Sequence, residues 1–117
     1  MVTLDTLRQL ALALPETTVE KHFDKVSFRV RDRIFATYDD AHKRASVKLC
    51  AAEQRAYATD SPEAITPAPN TRGGTGWTLV DLSTAGPNLL AEVLKCAYCE
   101  VAPRRLADIV RGCSEEE

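Results

Sequence analysis

HFDKVSFRVRDRIFATYDD, residues 22–40, is the stretch on which the fold turns. Val26, Phe28 and Val30 alternate with Ser27, Arg29 and Arg31, the period of two that marks a strand with one buried face and one facing water or a partner. A turn through Asp32 and Arg33 then reverses the chain, so the segment is predicted to be an antiparallel hairpin with an apolar inner face and an arginine-bearing outer one. Downstream, Ala45, Val47 and Leu49 alternate with Ser46 and Lys48 in a third strand, reached by a turn at Asp39, Asp40 and His42. Whether Ile34 or Phe35 shares the outer face depends on a register that the alternation alone does not fix.

Working outward, Thr3 can cap a first helix in which Leu4, Leu7, Leu10, Ala11 and Leu14 fall on one face before Pro15 stops it. Residues 16–21 read as a polar connection. Glu53 to Thr59 is a short helical stretch ended by Asp60-Ser61-Pro62, and the Pro- and Gly-rich segment from Ile65 to Gly76 reads as an extended loop. Gly76 to Leu82 is a strand with apolar residues on both sides, expected to be central and doubly covered. Pro87 opens a long helix with a stripe of Leu90, Val93, Leu94, Ala97, Tyr98 and Val101. Pro103 opens a last short one with Leu106, Ile109 and Val110 inward, ended by Gly112 and a polar tail. The sum is helix, three strands, helix, one or two strands, two helices: an α+β, two-layer sandwich in which helices cover an antiparallel sheet and leave one face partly open.

At 117 residues the chain is one domain, and 44% hydrophobic with 27% charged residues is an ordinary globular composition. No apolar run reaches the length of a membrane span, and the first residues lack the basic leader of a signal peptide, so a cytoplasmic location is expected. Four cysteines in that reducing compartment are expected to be free. The net charge of −2 argues against a generic nucleic-acid binder, yet Lys21 to Lys48 holds eight basic residues against four acidic ones.

The motifs HFDKVSFRVRDRIFAT (residues 22–37), VKL (47–49), GWTLVDL (76–82) and AYCEVAPRRLA (97–107), in this order, resemble the MmcQ/YjbR family of small bacterial proteins. The resemblance implies a two-layer α+β fold similar to secretion-chaperone and frataxin-like proteins, and a DNA-binding role through a double wing of hairpins. Many members carry Trp-Gly where this chain has His22-Phe23, and a Gly-Lys turn where it has Asp32-Arg33.

On this reading the chain is a non-enzymatic binding domain. Arg29, Arg31, Arg33, Lys43, Arg44 and Lys48 are the candidate phosphate contacts, since guanidinium forks grip phosphates at two points. The plainer alternative is that these charges only keep an open sheet face soluble and discourage edge pairing. Another is a protein-interaction or chaperone-like module, without nucleic-acid binding, that uses the partly uncovered sheet and an acidic helical surface to hold a partner or form a homodimer; the chain is expected to be a monomer or weak homodimer. No catalytic residue, metal or cofactor is expected. Cys96-Ala-Tyr-Cys99 lies near the C-terminal end of a helix, where the dipole opposes a thiolate, and Cys50, Cys113, His22 and His42 show no paired ligand spacing. His22 beside Asp24 lacks a nucleophile to activate, Gly73-Gly74-Thr75-Gly76 is no phosphate cradle, and a small-ligand cleft near His22, Tyr57 and Trp77 is the remaining candidate.

Overall fold

A computed structural model describes residues 3–22, 25–40, 42–68 and 76–115, with the side chains of His22 and of residues 111–115 outside the description. Helix α1 (Leu4–Leu12) starts where Thr3 Oγ1 accepts the Thr6 N–H at 3.3 Å, and it buries Leu7 and Ala11. Then follow β1 (Thr17–His22), β2 (Lys25–Val30), β3 (Arg33–Asp39), β4 (Arg44–Lys48) and α2 (Ala51–Asp60). Strands β5 (Ile65–Pro67) and β6 (Trp77–Asp81) precede helices α3 (Pro87–Val101) and α4 (Arg104–Glu115). The six strands form one sheet in the order β1-β2-β3-β4-β6-β5, every pair antiparallel. This is the expected α+β sandwich, with the described helices on one side.

Several local expectations are corrected. The supposed polar connection is an edge strand: Thr17 to His22 pairs with Val30 to Lys25, and its Thr-Thr-Val start suits a pleated, half-buried edge. Arg31 is not on the sheet face, because the hairpin turns at Arg31 and Asp32, both left-handed (φ 51° and 68°), as a two-residue turn requires, and Arg33 begins β3. Ile65 to Pro67 forms a strand against β6, while residues 69–75 of the expected loop lie outside the described residues. Strand β6 is covered on one side only, since burial alternates along it. Helix α4 runs through Gly112 to Glu115, a helical glycine costing only about 1 kcal/mol against alanine. Ile109 is 49% exposed, not inward.

Register also settles the second strand of the hairpin. A bulge between Phe28 and Arg29 pairs Phe28 with Ala36 and Arg29 with Ile34. Ile34 therefore joins the outer face, and Phe35 turns inward to meet the Tyr98 ring edge-on at 5.5 Å. Helix α3 crosses the inner face with Leu90, Val93, Leu94, Ala97 and Tyr98 buried. The Tyr98 hydroxyl donates to the Pro15 carbonyl at 2.6 Å, tying α3 to the segment after α1. Thr78 is buried but satisfied, donating to the Gly76 carbonyl at 3.1 Å and accepting from Gln54 Nε2 at 3.0 Å. Gly76 itself holds φ +104°, and a β-carbon there would lie 2.4 Å from the Leu49 carbonyl oxygen.

Candidate functional site

With every described helix on the inner side, the described residues leave the outer face of the sheet open, and the alternation of β2, β3, β4 and β6 decides what it displays. Registered neighbours form rows across the strands. One row reads Lys25, Asp39, Arg44, Asp81; the middle row reads Glu20, Ser27, Thr37, Ser46, Leu79, Thr66. At the far end Arg29 pairs with Ile34, and Lys48 with Trp77. Trp77 is half-buried here and lies under the Lys48 ammonium (5.9 Å to the ring centroid), so it is a surface residue of this face and not a core tryptophan.

The six cations expected to grip phosphates do not converge. Arg29, Arg44 and Lys48 lie on the open face, Arg31 and Arg33 at the β2–β3 tip, and Lys43 in the β3–β4 turn at the opposite end of β3. Seven residues of strand separate the two ends by roughly 23 Å. Most of these cations also face a carboxylate. Arg31 Nε donates to Glu16 Oε1 at 2.6 Å and Nη2 to Oε2 at 3.3 Å, which holds Glu16 below the usual carboxylate range. Arg29 Nη2 lies 3.5 Å from Glu20 Oε1, while its Nε is covered and unpaired. Lys43 Nζ donates to Asp40 Oδ1 at 3.2 Å, and this bond, with a second from the Tyr38 hydroxyl, lowers the Asp40 pKa. Arg44 stands between Asp39 and Asp81 in register. Asp81 is held ionised first by the Ser83 hydroxyl at 2.6 Å and the Ser83 N–H at 2.9 Å, with Arg44 adding to them. Among the described residues, Arg33 and Lys48 are the candidates with no acidic neighbour in contact or in register.

Among the described residues, His22, Tyr57 and Trp77 do not come together in the cleft weighed for them beneath the Pro- and Gly-rich loop, of which residues 69–75 lie outside the described residues. The backbone puts His22 at one end of edge strand β1 and Trp77 at the other end of β6, four strand spacings or about 19 Å away. Tyr57 points to the helical side, its hydroxyl donating to Glu92 Oε1 at 3.1 Å and lying 3.7 Å from Cys96 Sγ. The Phe23 and Asp24 neighbours of His22 lie outside the described residues. What the open face does hold is a hollow of about 240 Å³ at the β4–β6–β5 end, bounded by His42, Arg44, Glu63, Thr66, Leu79 and Asp81. No sequence motif announced it, because Glu63 and Thr66 come from a segment read as loop.

Cys50, Cys96 and Cys99 are free thiols. Burial pushes the Cys96 thiol up to about 11, so it stays protonated at neutral pH. Cys50, Glu53 and Glu100 bring ligand atoms within 4.8 Å of one another, a grouping invisible in the sequence because Glu100 arrives from α3. It is half-exposed, and the structure offers nothing further that points to an ion there.

The comparison with family models matches residues 12–100 to YjbR, over three quarters of the chain. The chain belongs to the YjbR family. Among solved structures, a Deinococcus radiodurans protein, DR2400, with a family-model domain DUF419, is similar to it: the TM-score is 0.74 at 26% identity, covering 86% of this chain and 79% of that one. The search of curated proteins found no match. The YjbR match spans β1 to β6 and nearly all of α3, so the open face described above lies wholly inside the family's domain. Among the described residues no helix of this YjbR chain is long and apolar enough to cross a membrane.

Proposed function

We propose that this YjbR protein is a non-enzymatic binding domain whose working surface is the open face of the sheet, and that the face holds a protein surface of mixed charge. The observation that carries the reading is the sign alternation of Lys25, Asp39, Arg44 and Asp81 across four strands, a pattern that complements another mixed surface and not a uniformly negative one. Ionisation points the same way. A general acid or base works with a pKa near the operating pH, whereas the resolved shifts here drive Glu16, Asp40 and Asp81 down and Tyr38, Tyr57 and Cys96 up, all away from neutrality. The free thiols suit a cytoplasmic setting.

The DNA-binding reading implied by family resemblance keeps one supporting observation, the corner where Arg33 begins β3 and Lys48 covers Trp77. Photo-crosslinking separates the two readings. A photoreactive residue replacing Ser46, in the middle of the face, should yield protease-sensitive protein adducts in cells, and the same residue replacing Arg104 on α4 should yield none. Adducts from position 46 that vanish with nuclease, and not with protease, overturn the protein reading in favour of a nucleic acid.

A further inference from the structure

Resting on the protein-binding reading, we infer that the open face docks against the same face of a second copy of this chain, about a two-fold axis that runs along the strands between β3 and β4. A two-fold of this kind exchanges left and right across the sheet, so a row is self-complementary when its two halves carry opposite signs. The row Lys25, Asp39, Arg44, Asp81 has that property. Lys25 falls on Asp81 of the second copy and Asp39 on Arg44, and each contact occurs twice.

The remaining rows agree. In the middle row Thr37 meets Ser46 and Ser27 meets Leu79, an uncharged strip of mostly small side chains that allows two sheets to approach to about 10 Å. At the far end Arg29 falls opposite Trp77, whose ring lies under the Lys48 ammonium of its own chain, and Ile34 falls opposite Lys48. The other in-plane axis, running across the strands, is rejected by the same residues. It would set Lys25 against Arg29 and Arg44 against Lys48, like charge on like charge. Shape adds to charge, because the exposed Lys25 is carried to the hollow whose walls include Glu63 and Asp81.

Six strands about 4.8 Å apart, with the rows running about five residues along β4 and β6, give a footprint of at most roughly 24 by 17 Å, small beside the ~800 Å² per partner of a standard interface. The dimer is therefore weak, dissociating in the micromolar range. Sedimentation equilibrium of the full chain tests it: the weight-average mass should rise from 12.9 kDa towards twice that value between about 1 and 500 μM. Lys25→Glu and Asp81→Lys should each weaken self-association about tenfold or more, and an equimolar mixture of the two variants should restore it. Within one copy Lys25 and Asp81 are three strand spacings apart, about 14 Å, so restoration on mixing reports contact between copies. Should Asp81→Lys disturb folding through the lost Ser83 bonds, Thr37→Glu with Ser46→Glu in one chain should leave only monomer. A monomer mass for the native chain at the highest concentration, or self-association untouched by Lys25→Glu, overturns the inference. In that event protease-sensitive adducts of another mass from position 46 would leave the protein-binding reading standing, and nuclease-sensitive ones would remove it too.

Discussion

Replacing Glu16 and Glu20 together by glutamine separates a phosphate-gripping surface from a charge-balanced one. Each phosphate neutralised contributes about −0.9 to the slope of log K against log salt on duplex DNA. If all six candidate cations reached phosphates, the slope would be about −5.4, and affinity would fall about 1,800-fold between 50 and 200 mM salt. Among the described residues Arg33 and Lys48 have no acidic neighbour in contact or in register, which gives about −1.8 and a fall of only about 12-fold. The glutamines release Arg31 and Arg29, the two of the six candidates paired with Glu16 and Glu20, and should steepen the slope to about −3.6, a fall of about 150-fold over the same range. Fluorescence anisotropy with a labelled duplex reads all of this directly, with a thermal melt to show that the variant is folded. A native slope near −5 that the glutamines leave unchanged would refute the reasoning, because carboxylates would then not be competing for those guanidinium groups.

Other perturbations probe the frame that holds the face in place. Gly76→Ala places a β-carbon against the Leu49 carbonyl at a φ of +104°, so it should cost about 2–4 kcal/mol and lower Tm by about 8–16 °C; a melt within two or three degrees of native, by that same conversion, would contradict it. Tyr98→Phe removes the 2.6 Å bond to the Pro15 carbonyl and should cost about 1–3 kcal/mol in urea unfolding, whereas an equal midpoint would mean that the carbonyl finds another donor. Glu16 has its pKa lowered by Arg31, so its contribution is present above the usual value of 4.5 and is lost as pH falls through the lower folded value. The Tm gap between native protein and Arg31→Met, followed by calorimetry, should therefore be constant near neutrality and close below pH 4.5. Cys96, raised from 9 to about 11, should react with iodoacetamide at pH 8 about a hundredfold more slowly than an unshifted thiol, as peptide mass spectrometry would show.

The hairpin, the third strand and the stripe of α3 were legible because one-sided burial imposes a period on the residues themselves, and Thr3 announced the start of α1 for an equally local reason. The position of Phe35 was not legible. Its inward turn depends on the bulge opposite Arg29, and the space that rewards it is made by Tyr98, more than sixty positions away. The hollow beside Asp81 was hidden in the same way, since Glu63 and Thr66 reach it only once β5 has paired with β6.

The expectation that the basic residues converge on one surface and the misreading of residues 16–21 have one source. That segment is polar and short, Glu-Thr-Thr-Val-Glu-Lys once Pro15 is passed, with too little apolar alternation to declare a strand. Edge strands are allowed to look like this, because one side of the backbone has no neighbour and charged side chains discourage further pairing. As a loop, its acids are placed nowhere. As β1 in register with β2, Glu20 stands opposite Ser27, two pairs along from Arg29 on the same face, and Glu16, just before the strand, meets Arg31 at the tip. The local positive excess counted along the sequence from Lys21 to Lys48 stops at the residue where its counter-charges begin. A charge run along the chain measures a surface only when the strands beside it are known, and here the neighbouring strand turns the basic hairpin into half of a balanced face.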